Sequence, residues 1–258
     1  MIAFWMLSYL YFFVWYCISL RKKDFSLFDL AWGGGVILPA IVAFPFRMSL
    51  IKSILIILIS LWAIRLTVHL TDRYRRVGKD RRYQEMSQTW GKLWPIHGFV
   101  KVFLLQSTIA CFVILPPLLL ILSSADSIPM ISYLGATIAG LGLVLESVAD
   151  YQLKEFKLKK SQTPFMREGV WKYSRHPNYV GEVIFWWGIW IYCLPYIPYW
   201  SVLSPLMMHL LIRYVSGVPL LENHWKKNPE FPIYAKEVPI FWPFFSFIRY
   251  LTAPRHTH

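Results

Sequence analysis

The sequence predicts an all-α, polytopic membrane protein of about seven transmembrane helices, N-terminus outside and C-terminus inside. Three observations predict it. Of the 258 residues 56% are hydrophobic and 18% aromatic, and mean hydropathy is +0.43, which describes a bilayer-embedded chain. Apolar stretches recur along the chain at lengths near the ~20 residues that cross a membrane. Nearly all Lys and Arg fall in alternate connections between those stretches, the pattern that fixes orientation.

The first stretch runs from about Ile2 to Leu20 (2–20) and stops at Arg21, Lys22 and Lys23. It has no basic leader and no small-residue cleavage site, so it reads as a retained span. The second, about 25–46, carries Asp29 and the run Gly33-Gly34-Gly35. That run follows no strand and lacks G-x-G-x-x-G spacing, so close helix packing explains it better than nucleotide binding. The third, about 50–70, holds Arg65 and His69 at i, i+4 near its end, either snorkelling to the interface or serving a site. Residues 71–97 read as a long polar loop with Arg73, Arg75, Arg76, Lys79, Arg81 and Arg82. Topology needs only a few of these cations. The excess points to a polyanionic partner, either lipid headgroups or a phosphorylated cofactor.

The fourth stretch, about 99–122, contains Gln106 and is bent by Pro116-Pro117. The fifth, about 131–149, ends in LESVADYQLKEFKLKK. There Glu146 and Asp150 share a helical face that Lys154 and Lys157 continue. Such acid-then-base spacing is ordinary helix support, or part of a site. The sixth, about 179–194, and the seventh, about 199–214, are joined by a turn at Pro195 to Pro198. Ser216-Gly217 then breaks the helix, and 215–258 reads as a cytoplasmic, interfacial tail. Its segment Phe241 to Leu251 is too short to span. The whole chain, 1–258, reads as a single transmembrane domain without repeats.

The net charge of +13 does not indicate nucleic acid, because the cations sit where positive-inside topology explains them. Cys17, Cys111 and Cys193 lie in apolar runs without metal spacing, so neither a metal centre nor a disulfide framework is expected.

The richest stretch is KYSRHPNYVGEVIFWW, Lys172 to Trp187. Pro177 is pre-set for the first turn of a helix, which places Arg175 and His176 at a helix mouth. Asn178 and Glu182 then share one face just inside it. A helix N-terminus with Arg, His and Asn beside it suits an anion. A carboxylate one turn deeper in an apolar helix is costly without a partner or a role. A plain basic and aromatic membrane anchor is the alternative.

The run GVWKYSRHPNYVGE (169–182) resembles the signature of membrane proteins sharing the steroid 5-alpha-reductase C-terminal domain. Three further stretches agree in order: WxxRL with GKDRRYQ (62–66, 78–84), D-x-Q-L-x-x-F-K (150–157), and S-G-x-P-x-L-E…Y…P (216–239). Isoprenylcysteine methyltransferases carry a related R-H-P-x-Y-x-G run.

The resemblance implies a seven-helix fold that holds NADPH in its cytoplasmic half, and a reductase acting on a carbon–carbon double bond of a lipophilic, steroid-like or isoprenoid enone. The alternative is an S-adenosylmethionine-dependent methyltransferase. By position, Asp150, Lys157, Asn178 and Glu182 match family residues around the cofactor, and His224 falls near another. Arg81, Arg82, Lys154, Arg175 and His176 are expected to join them, with Tyr173, Tyr179, Glu222 and Tyr234 in the same stretch and tail. Tyr83 is the expected proton donor, with Glu146 or His69 as rivals. The steroid enzymes' early-helix Gln-x-x-Glu-like pair is missing; Asp29 and Gln106 are the nearest polar residues. The expected partners are a lipophilic small molecule and membrane lipids, and the expected location is a bacterial inner membrane with the site facing the cytoplasm.

Overall fold

The computed structural model describes residues 1–159 and 163–241, and every regular element among them is helical. Apolar stretches become helices because a backbone in hydrocarbon must satisfy its own N–H and C=O groups. Helix α1 (Ile2–Lys22) ends as Lys23 turns left-handed (φ 49°) and the N–H groups of Lys23 and Asp24 return to the Leu20 and Ser19 carbonyls. Helices α2 (Ser26–Leu30) and α3 (Trp32–Ala43) make up the second apolar stretch. Helix α4 (Leu50–Val77) runs seven residues past the expected end at 70. It is followed by α5 (Arg81–Trp90) and α6 (Trp94–Gly98). The segment expected to be a polar loop is therefore mostly helical. Charged side chains do not break a helix; the breaks come at Gly78 and Gly91, both at positive φ.

A π-helical turn (Phe99–Leu104) leads into α7 (Leu105–Val113). Helix α8 (Leu115–Leu122) starts afresh, with Pro116 and Pro117 in its first turn, where an N–H is not needed. Helix α9 (Met130–Leu158) extends nine residues beyond 149. Helix α10 (Pro177–Cys193) is followed by α11 (Leu203–Leu210), a second π-helical turn (Leu211–Val215), α12 (Val218–Trp225) and α13 (Phe231–Glu237).

Among the described residues six helical segments are long and apolar enough to cross a membrane, the mark of an integral membrane protein: Ile2–Lys22, Ser26–Arg47, Leu50–Val77, Arg81–Val113, Met130–Leu158 and Tyr199–Trp225. Helix α10 has 17 residues. Its rise of about 26 Å falls short of the ~30 Å hydrocarbon core, so it stands apart from the six.

The chain forms two compact units. One contains Met1–Ala136 and Ile189–Ser204, the other Thr137–Gly188 and the chain from Pro205 onward. In the first unit the glycine run does pack closely. A Cβ on Gly33 would meet the Ala63 carbonyl, one on Gly34 the Tyr11 ring, and one on Gly35 the Phe12 ring. Gln106 accepts from Trp32 Nε1 at 2.6 Å. Lys52 is buried in the first turn of α4. Its Nζ donates to the Ser123 carbonyl at 2.7 Å, at the C-terminal end of α8, where helix carbonyls lack partners.

The second unit has an aromatic core of Phe165, Phe231, Tyr234 and Val238, and a second cluster of Ala149, Met166 and Trp171. From residue 242 the expected interfacial segment lies outside the described residues.

Candidate functional site

The site is built from the helix mouth outward. Pro177 is the first residue of α10, as its fixed φ favours. Just before it, Ser174 Oγ donates to the Ile240 carbonyl (2.8 Å) and Arg175 N to the Pro239 carbonyl (2.9 Å). The approach to the mouth is thus fastened to the chain beyond α13. Arg175 is buried (5% exposed), and four of its five N–H groups are engaged. Nε and Nη2 donate to the two Glu222 oxygens at 2.8 and 3.3 Å, and Nη1 donates to the carbonyls of Ala235 (2.9 Å) and Val238 (2.6 Å). Expected as a phosphate ligand, Arg175 turns inward and ties α12 and α13 to the mouth.

His176 completes this knot. Its Nε2 lies 3.0 Å from Glu222 Oε1, and a carboxylate acceptor sets the Nε2–H tautomer. The ring is sandwiched, parallel to Trp225 (5.2 Å) and Tyr179 (5.5 Å). Burial pushes its pKa below the ordinary 6.5, against the opposing pull of Glu222. Tyr234 stacks on Phe165 at 4.8 Å, and burial raises its phenol to about 12. His224, expected beside the cofactor, is exposed, whereas Trp225, which the sequence reading did not single out, carries the stacking. An aromatic side chain in an exposed, basic tail segment gave no sign that it would cover a histidine 49 positions earlier.

At the lip of the mouth, Asn178 Nδ2 donates to Asp150 Oδ1 at 3.2 Å. This pairing joins two of the expected site residues across α9 and α10. It follows from close packing one and two turns away. A Cβ on Gly181 would sit 2.6 Å from the Glu146 backbone N, and one on Gly142 would press on Phe185. Glu146 and Asp150 are buried, Glu182 and Lys154 are half-buried, and Lys157 is exposed. Tyr173 is half-buried with Lys172 Nζ 4.6 Å over its ring. Trp171 Nε1 donates to the Ala149 carbonyl (3.0 Å), which holds the preceding segment against α9.

Arg81, Arg82 and Tyr83 belong to the first unit. Asp80 caps α5 there by accepting from Arg82 N at 2.9 Å. Its carboxylate also takes Arg82 Nε (3.0 Å), Arg82 Nη2 (2.9 Å) and Arg73 Nη2 (2.6 Å). Burial alone would raise the Asp80 pKa; these cationic donors overcome it and hold the carboxyl below its ordinary value. Asp29 accepts the Tyr83 hydroxyl at 2.6 Å and Arg82 Nη2 at 3.3 Å. Arg81 pairs with Glu85 and Arg76 with Asp72, each at i, i+4. The cations read as a surplus for a polyanion are thus largely matched by acids nearby. Tyr83, the expected proton donor, already donates to a carboxylate.

The family comparison finds a match over residues 15–238, to proteins described as of unknown function (DUF1295). The chain belongs to the DUF1295 family. Comparison with curated proteins and with solved structures gives no match. The DUF1295 match takes in all the residues expected at the site, from Arg81 to Tyr234, so both polar clusters lie within the part that defines the family.

Chemically, the second unit offers a fixed helix N-terminus bordered by an amide and a carboxylate. Asn178 keeps a second N–H and its carbonyl oxygen beyond the bond to Asp150. Lys154 and Lys157 lie one and two turns along α9 from Asp150. The first unit holds a phenol whose O–H is committed to Asp29, a carboxylate that also takes a guanidinium N–H.

Proposed function

We propose that this protein is an NADPH-dependent reductase of a carbon–carbon double bond in a lipophilic enone, resembling the steroid 5-alpha-reductase C-terminal-domain proteins. The observation that carries the proposal is the Asn178–Asp150 pair at the entrance of α10. Two residues, one from each of two resembling stretches and 28 positions apart, meet at a helix N-terminus whose approach is clamped by Arg175 and Glu222. The donor set suits a dinucleotide. Lys154, Lys157 and the α10 N–H groups can meet phosphates, and Asn178, Asp150 and Glu182 can bond ribose hydroxyls or a carboxamide. When bound, NADPH would supply the hydride. Asn178 and Glu182 orient the ligand, and the Arg175–Glu222–His176 knot keeps the helix mouth in place. Tyr83 remains the candidate donor toward a substrate oxygen, a role that requires its one O–H to leave Asp29. The charge pattern supports seven crossings with the N-terminus outside and the site on the cytoplasmic side; a bacterial inner membrane is the proposed location.

The test is thermal stability of the detergent-purified protein with NADPH, NADH or S-adenosylmethionine, because a true ligand stabilises the folded state by mass action. NADPH is expected to raise Tm most. A rise with S-adenosylmethionine alone would replace the proposal with a methyltransferase. Glu182→Gln is expected to remove enone reduction while leaving Tm without ligand within about 2 °C of the parent. A fully active Glu182→Gln enzyme contradicts the proposed role.

A further inference from the structure

A polar opening lies at the end of α11 and shares Ile240 with the chain that fastens the helix mouth. It is a cavity of about 460 Å³ lined by His209, Arg213, Tyr214, Ile240 and Phe241. We propose that it binds the phosphate headgroup of an anionic membrane lipid.

Arg213 carries the argument. Its guanidinium makes no hydrogen bond or ion pair among the described residues. Glu222, the acid of the following helix, has both oxygens committed to Arg175 and His176. An arginine at the end of a span commonly extends its charge to water. Arg213 instead lies over two rings, 4.9 Å from the Tyr214 centroid and 5.7 Å from Phe241. The His209 ring stacks on the other partner, Phe241, at 6.0 Å. A guanidinium set beside an imidazole and a phenol is a forked donor matched to phosphate oxygens.

The backbone is arranged to present it. Arg213 sits in the π-helical turn Leu211–Val215, where the extra residue re-aims side chains, and such turns concentrate at functional positions. The surroundings identify the ligand as an amphiphile. Leu206, Leu210 and Tyr214 recur at i, i+4 and i+8 and are 37%, 46% and 63% exposed, an apolar strip leading to the cavity. Acyl chains would lie on that strip while the headgroup enters the opening. The volume accommodates a headgroup with its glycerol rather than a lone ion. The inference does not depend on the reductase reading.

The experiment titrates short-chain phosphatidylglycerol, phosphatidylcholine of equal chain length, and inorganic phosphate into the full-length protein in neutral detergent, reading Tm. Phosphatidylglycerol is expected to raise Tm by several degrees, with little effect from the other two. Arg213→Gln is expected to lose that increment, while Lys227→Gln, at an exposed cation of the tail, keeps it. An unchanged increment in Arg213→Gln would overturn the proposal, and a full increment from inorganic phosphate would reassign the site to a small anion. If Arg213→Gln does not fold, a photoactivatable phosphatidylglycerol on the parent protein decides the matter. Labelling is expected on the peptide spanning Leu206 to Tyr214, and labelling only elsewhere sinks the site.

Discussion

Arg175 is the residue on which the second unit most depends, and the reason is electrostatic. A buried guanidinium is tolerable only while its donors are matched, and among the described residues Glu222 supplies the one formal counter-charge. Glu222→Gln should therefore destabilise the protein by about 3–5 kcal/mol, the range for breaking a buried pair, visible as a lower melting temperature. Replacing Arg175 and Glu222 together by Leu should cost less than the single change, because no charge is left uncompensated. A second prediction concerns pH. Burial holds the His176 pKa below 6.5 in the folded protein, so between that lowered value and 6.5 the unfolded chain binds more protons. Stability should thus fall as pH drops through that window and level off below it. Melting curves from about pH 8 to 5 should show this component in the parent and not in His176→Phe, which keeps a ring between Tyr179 and Trp225. The motif around these residues was legible in the sequence, as was the helix start at Pro177. The inward turn of Arg175 was not. Its partner lies 47 positions away, and only the docking of the tail decides whether an arginine beside a helix mouth faces a ligand or a carboxylate.

At the scale of elements, the contact between α9 and α10 decides whether Asp150 meets Asn178. The two helices approach through Gly142 and Gly181. Helix propensity alone would favour Ala over Gly by about 1 kcal/mol. At Gly181 a Cβ would lie 2.6 Å from the Glu146 N and 2.7 Å from the Gly142 carbonyl, so the helices must separate. Overpacking of that kind costs about 1–3 kcal/mol, so Gly181→Ala should be destabilising on balance. On the proposed reading it should also weaken NADPH binding, by shifting Asn178 away from Asp150. Gly140, on the partner helix α9, is the control, with nothing within 4 Å of a Cβ. Gly140→Ala should leave both melting temperature and cofactor titration unchanged or slightly improved. Spacing of apolar residues revealed that these helices exist, but could not reveal which glycines touch, since a glycine in an apolar run looks the same in contact or not. For a similar reason the ends of α4 and α9 were placed too early. Hydropathy marks where the membrane stops, and hydrogen bonding carries the helix past that point to Val77 and Leu158.

For the whole molecule, the decisive quantity is the number of crossings, because its parity fixes whether the two termini lie on the same side. Six segments have the length and apolarity to cross. Helix α10, at 17 residues and about 26 Å, is the one in question. A few ångströms of mismatch costs only fractions of a kcal/mol per ångström, met by local thinning of the bilayer, so length does not prevent it from crossing. Charge argues that it does. The segment before α10 contains Arg167, Lys172 and Arg175, while the turn after it, 194–199, contains no charged residue. Single cysteines at Glu168 and Tyr199, both exposed, separate the two arrangements. In intact cells a membrane-impermeant maleimide should label Tyr199→Cys, and should reach Glu168→Cys only after permeabilisation. Labelling of both from the same side would mean that α10 lies along the interface. The entrance at Asn178 would then open parallel to the membrane surface, and a ligand would have to approach from the headgroups rather than from the cytoplasm.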